Sequence, residues 1–194
     1  MKNLLLFIRA RFFQWINKPR MLNNIYINPN GNIAKNTRFG NTVDFVNKKQ
    51  ITLGNNVYIG HYAILDGTAG LEIDDGCQIS ARVSILTHSS HISIRLFGYK
   101  YSLCNGIESE GYKLGRVKIG KFTFIGTGAI ITNGVTIGKG CIVGANSFVN
   151  SDLPDYAIAH GSPAKIVGYT KEVDSIFLQN NQQFQEYYNG WNNE

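Results

Sequence analysis

The chain has 194 residues, 43% of them hydrophobic, with 21 glycines and a formal net charge of +6 at pH 7, which suits one domain (1–194) with a sizeable core and many tight turns. No apolar run reaches the roughly 18 residues that a membrane span needs. The first 19 residues lack a small-residue cleavage site after their apolar part, so a cytoplasmic protein is expected, its basic surplus fitting anionic lipid, nucleic acid or a polyphosphate-bearing cofactor without choosing among them.

Residues 3–17 (NLLLFIRARFFQWIN) place Leu4, Ile8, Phe12 and Ile16 four apart, with Leu5, Phe7 and Trp15 widening the apolar face. That spacing predicts a helix within 1–22, stopped by Pro19. Lys2, Arg9, Arg11, Lys18 and Arg20 make it basic as well as amphipathic. Packing of its apolar face against the rest of the chain is the expected role, and weak peripheral contact with an anionic membrane is the alternative.

A six-residue rhythm of aliphatic or aromatic residues begins at Ile33, Phe39 and Phe45, strengthens at Leu53, Ile59 and Leu65, and resumes after a two-residue insertion at Ile73, Ile79 and Ile85. It is absent from 92–116, where a loop is expected, and an unpatterned stretch of that length usually has functional work. It returns at its clearest in Ile119, Ile125, Ile131, Ile137, Val143 and Val149. An α-helix would want spacings of three and four. Six is a multiple of the strand period of two, so all these side chains can share one face. Glycine follows four of them (Gly120, Gly126, Gly138 and Gly144), and Thr123, Ala129, Val135, Cys141 and Ser147 stand four places on. With glycine at positive φ turning a corner in each repeat, the expected fold is an all-β solenoid of about five coils over 33–154.

Cys77 and Cys141 fall on the small-residue position, and with Cys104 they lack any C-x-x-C spacing, so packing is their expected role. The segment 155–194 closes the chain. Within it, 171–194 carries Val173, Phe177, Phe184, Tyr187, Tyr188 and Trp191 at helical spacings. A helix capping the unpaired edge of the last coil is expected there.

The repeat I-G-x-x-[STAVC]-x, together with NSDLPDYAIAHGSPAKIVG (150–168), resembles the hexapeptide-repeat acyltransferases, in their xenobiotic and sugar O-acetyltransferase branch. The resemblance implies a left-handed parallel β-helix with three hexads to a coil, a homotrimer, and a loop at 92–116 that arches over a neighbouring subunit. It implies acetyl-CoA as donor, lying between subunits. By the matching positions, Lys165 contacts its phosphates, Thr127 and Ala145 follow the pantetheine arm through their backbones, and Asn150 and Ser151 lie near the adenine. The chain departs from the family in carrying Phe124 for tryptophan and Ser151 for lysine.

Acyl transfer from a thioester to a hydroxyl needs a base for the hydroxyl proton and donors for the oxyanion. ILTHSSH (85–91) supplies two histidines at the mouth of the loop. The family register, six residues on from Ile85, makes His91 the expected base and His88 the runner-up, with a histidine that merely hydrogen-bonds the loop as the plain alternative for each. His61 and His160 read as structural or surface residues. The three-histidine metal site of the carbonic anhydrases that share this fold has two ligands five apart, whereas His88 and His91 are three apart, so no metal is expected. The expected activity is transfer of an acetyl group to a sugar hydroxyl of a surface polysaccharide, such as capsule or O-antigen, or of its precursor. The partners are a saccharide or small-molecule acceptor, and no nucleic acid. An amino-sugar N-acetyltransferase and a non-catalytic scaffold are the alternatives, the former usually carrying an extra N-terminal nucleotide-binding domain.

Overall fold

The computed structural model describes residues 2–16, 18–103, 106 and 110–193. Short strands stack in parallel into the three faces of a β-helix. The first face holds Arg38–Gly40, Tyr58–Ile59, Gln78–Ile79, Phe124–Ile125 and Ile142–Val143. The second holds Asp44–Val46, Ile64–Asp66, Ser84–Ile85, Ile130–Ile131 and Phe148–Val149. The third holds Ile51–Leu53, Leu71–Ile73, Val117–Ile119 and Thr136–Ile137, extended by a bridge from Ile137 to Leu153.

The register follows the rhythm read from the sequence. Ile125 pairs with Ile79 and Val143, and Ile131 with Ile85 and Val149, so like residues form columns. Ile119, Ile125, Ile131, Ile137, Val143 and Val149 are at most 1% exposed. Each such burial is worth about 1.5–3 kcal/mol. Coils repeat every twenty residues in the first half, where Ile59 pairs with Ile79, and every eighteen in the second, where Ile125 pairs with Val143. The extra pair falls between the second and third faces: Lys48–Gln50 makes a 3-10 turn there, and one coil on, 67–70 make a hydrogen-bonded turn.

The glycines after the aliphatic residues act differently from expectation. Gly120, Gly126, Gly138 and Gly144 do not have positive φ. That conformation belongs to residues two places on, such as Phe122, Gly128, Gly140 and Asn146. Glycine is needed for close approach instead: a Cβ on Gly126 would sit 2.6 Å from the backbone nitrogen of Ala145 in the next coil.

Ile33 does not belong to the columns. It is 53% exposed and bridges Ile27 antiparallel. The end of the third face is closed by polar groups: the Tyr26 hydroxyl donates to the Ile51 carbonyl (3.0 Å), and the Asn28 carboxamide bonds both the Leu53 carbonyl (2.9 Å) and its N–H (2.8 Å). Met21–Asn23 pairs antiparallel with Arg38–Gly40 and closes the first face. Helix α1 (Lys2–Ile16) thus precedes a strand that already covers this end. Of the apolar face expected to pack, Leu4, Phe7, Ile8 and Phe12 are 56–64% exposed, and the side chains of Trp15 and Ile16 lie outside those described.

The segment 92–116 contains helix α2 (Ser93–Phe97) and a 3-10 stretch (Gly98–Leu103), and His88–Ser89 pairs antiparallel with Lys113–Leu114 at its base. The last coil is capped by a hairpin rather than a helix: Ala157–Gly161 adds in parallel to Ile142–Val143 and turns back as Ala164–Tyr169. Helices α3 (Thr170–Gln179) and α4 (Gln185–Asn192) replace the single helix expected and dock on the flank. Trp191 lies 4.8 Å from the Phe122 ring, Thr170 Oγ1 donates to the Gly140 carbonyl (2.8 Å), and Lys139 Nζ donates to the Asn192 carbonyl (2.8 Å). Cys77 and Cys141 are buried, which pushes their thiols up to about 12 and about 11. Both are therefore inert thiols. Cys104 lies outside the described residues.

Candidate active site

The corner between the second and third faces is where the coils carry extra residues and where the loop leaves. Asp66 ends the strand Ile64–Asp66 with its side chain 2% exposed. One oxygen accepts from the Thr68 backbone N–H (2.9 Å) and hydroxyl (2.6 Å). The other accepts from the Thr87 N–H (2.8 Å) and hydroxyl (2.8 Å) in the coil above, and meets His88 Nδ1 at 2.7 Å. Burial alone would raise this carboxyl, but the hydrogen bonds from Thr68 and Thr87 outweigh it and bring it down to about 2.

This fixes the histidine tautomer. An ionised carboxylate only accepts, so Nδ1 of His88 must donate to Asp66, which leaves Nε2 with its lone pair outward when the ring is neutral. The ring is also held flat against Tyr112, with centroids 5.6 Å apart and planes within 5°. With its side chain 34% exposed, His88 is reachable from solvent. A reachable imidazole oriented by a buried carboxylate is an arrangement suited to general-base catalysis.

His91, the histidine favoured by the sequence register, is exposed, and its Nδ1 meets the Ser89 hydroxyl at 2.7 Å. Its carbonyl accepts from Arg95 (2.5 Å). The orienting carboxylate thus stands at His88, because Asp66 lies directly below residues 87–88 in the preceding coil. His61 is half-buried and bonded to the Thr42 hydroxyl (3.0 Å), and His160 is exposed in the terminal hairpin.

The expected donor-binding residues fall on two corners. Thr127 and Ala145 stack one coil apart between the first and second faces, both exposed, with Asn146 N–H donating to the Thr127 carbonyl (2.9 Å). Lys165 is exposed in the hairpin that prolongs the first face beyond them, paired with His160. Asn150 and Ser151 are exposed on the other corner, above His88. The residues that sequence reasoning missed are Asp66, Thr68, Thr87 and Tyr112. Asp66 had a weak signal: it follows Leu65 where Gly54, Gly60, Gly126 and Gly144 follow their aliphatic residues, and it opens Asp-Gly-Thr, a turn whose carboxylate bonds the N–H two residues on.

Residues 116–151 match the family described as bacterial transferase hexapeptide (six repeats). A putative acetyltransferase of Saccharomyces cerevisiae is 35% identical over 128 residues, covering 64% of this chain and 59% of that protein. The dTDP-4-amino-4,6-dideoxy-D-glucose acyltransferase of Escherichia coli is 28% identical over 167 residues, covering 75% of this chain and 87% of the relative. A probable acetyltransferase of Mycobacterium tuberculosis is 43% identical over 61 residues, which are 31% of this chain and 20% of that longer protein. Among solved structures, an N-acyltransferase from Bacillus cereus in complex with dTDP and coenzyme A is 25% identical with a TM-score of 0.58, covering 75% of this chain and 90% of that one.

Proposed function

We propose that this chain, whose residues 116–151 match the hexapeptide-repeat transferases, moves an acetyl group from acetyl-CoA to a hydroxyl of a sugar, in building or modifying a surface polysaccharide. The observation that carries this reading is the Asp66–His88 pair at the foot of the loop. His88 Nε2 takes the proton of the acceptor hydroxyl as that oxygen attacks the thioester carbonyl carbon. The C–S bond then breaks, and the CoA sulfur leaves as thiolate and is protonated, giving the acetyl ester and free thiol. His91 sits at the loop entrance, where it can touch the acceptor. Thr127, Ala145, Asn150, Ser151 and Lys165 are assigned to the donor, the exposed Lys165 meeting its phosphates. Coenzyme A in the Bacillus cereus neighbour supports the donor, as does the acetyltransferase name of the yeast relative.

The active unit in this reading is a homotrimer. Tyr99 and Leu103 in the loop are 104% and 86% exposed in a single chain, which suits a loop that closes on a neighbouring copy. A second reading, transfer to the amine of a nucleotide-linked amino sugar, is favoured by the Escherichia coli relative and by the dTDP bound in the Bacillus cereus neighbour. Thiol release from acetyl-CoA, measured over neutral sugars and dTDP-linked amino sugars, decides between them. Turnover with hydroxyl acceptors is expected. Turnover with amines alone establishes the second reading, and none with any acceptor leaves a scaffold.

A further inference from the structure

Helix α1 exposes an unbroken run of large apolar side chains. Leu4, Leu5, Leu6, Phe7 and Ile8 are consecutive and each 56–66% exposed. At about 3.6 residues per turn, five consecutive residues cover the whole circumference. Phe12 and Phe13 continue this at 56% each. A helix packed on one side against a protein surface would show one protected stripe, and none appears among the described side chains. A helix that is apolar all round calls for an apolar medium.

The charge around the helix says which medium. The sequence has Lys2, Arg9, Arg11, Lys18 and Arg20 in its first 20 residues and no Asp or Glu before Asp44. Arg9, Arg11, Lys18 and Arg20 are exposed, and the Arg11 guanidinium lies over the Phe7 ring, 5.5 Å from its centroid. Copies of this chain would bring like charges together at that helix, whereas anionic headgroups would neutralise them. Fifteen residues span about 22 Å, short of the roughly 30 Å hydrocarbon core. The helix can therefore enter the headgroup and outer acyl region but cannot cross.

From this complementarity we infer that α1 is an interfacial anchor that holds the protein on an anionic lipid surface. Its apolar residues enter the acyl boundary while its arginines and lysines meet lipid phosphates. The Pro19 stop and the antiparallel strand Met21–Asn23 join it to the closed end of the β-helix, so the coils stand on the membrane by that end.

The test is co-sedimentation of the full chain with vesicles of phosphatidylglycerol and phosphatidylcholine in equal parts, and with phosphatidylcholine alone. Binding to the mixed vesicles is expected, weakening as salt rises, with much less on the neutral ones. Arg9→Gln with Arg11→Gln should lower partitioning about thirtyfold. Leu6→Glu with Phe13→Glu should abolish it while thiol release with a soluble acceptor and the oligomeric mass stay as in the wild type. Equal binding to both vesicles, absent binding by the wild type, or retained binding by the double glutamate variant each overturns the anchor. A lower mass for the glutamate variant also overturns it, because it would show that a second copy covers α1.

Discussion

The corner between the first and second faces and the corner between the second and third are built from the same repeat, yet their interiors differ. At the first, the coils close so tightly that a Cβ on Gly126 would lie 2.6 Å from the Ala145 nitrogen, and Ala129 and Ser147 are buried behind it. At the second, two extra residues in the early coils and the departing loop open room for a carboxylate, which Thr68, Thr87 and His88 then surround. A solenoid keeps its rule where stacking is the only demand. It breaks the rule where an ionisable group must be buried with its partners already in place.

If that contrast also divides the chemistry, changes at the Asp66–His88 pair should act on turnover, and a change at Lys165, beyond the tight corner, on donor binding. The largest effect is expected from His88→Ala, with kcat falling by roughly 10² to 10⁴ because the general base is gone. His91→Ala, whose ring meets only a hydroxyl, should cost much less. Single-turnover rates at saturating donor and acceptor read this directly, and an inactive His91→Ala beside a near-normal His88→Ala would return the base to the position that the sequence register favoured.

Asp66→Asn comes next. An amide can hold the ring in the other tautomer, so turnover should fall toward the His88→Ala level while acetyl-CoA affinity holds. The same variant tests the burial of the carboxylate. Its pKa is lowered from 3.8 to about 2 on folding, so the stability it contributes is complete above pH about 4 and is lost as pH falls toward 2. That contribution is about 2 kcal/mol. Urea midpoints should fall more steeply over that window for wild type than for Asp66→Asn, and parallel curves would mean that Asp66 is not the charged, bonded group described.

The smallest effect is expected at the end of the tight corner. Lys165→Ala should raise the KM for acetyl-CoA about tenfold with little change for the acceptor, the loss of one charge-assisted phosphate contact. Initial rates against each substrate separate the two, and an equal rise in both would place Lys165 off the donor path.

The two ends of the chain sharpen the same lesson. Both read as helices from their apolar spacing, and both are helical, but Trp191 lies near Phe122 and Leu178 is buried, whereas Leu4 to Ile8 in α1 are each 56–66% exposed. Spacing reports that an apolar face exists, not what will meet it.

By itself the sequence determined the strand columns. A six-residue period forces alternate side chains of each hexad to one side, and Ile119 to Val149 are buried for that reason alone. The glycines were legible as positions but not in their role, since a close approach between Gly126 and Ala145 joins residues that only stacking brings together. Which histidine is oriented was decided by the tertiary structure alone. Asp66 and His88 lie 22 positions apart, their meeting depends on a coil two residues longer than the period seen later in the chain, and a register counted along one segment carries no information about the coil beneath it.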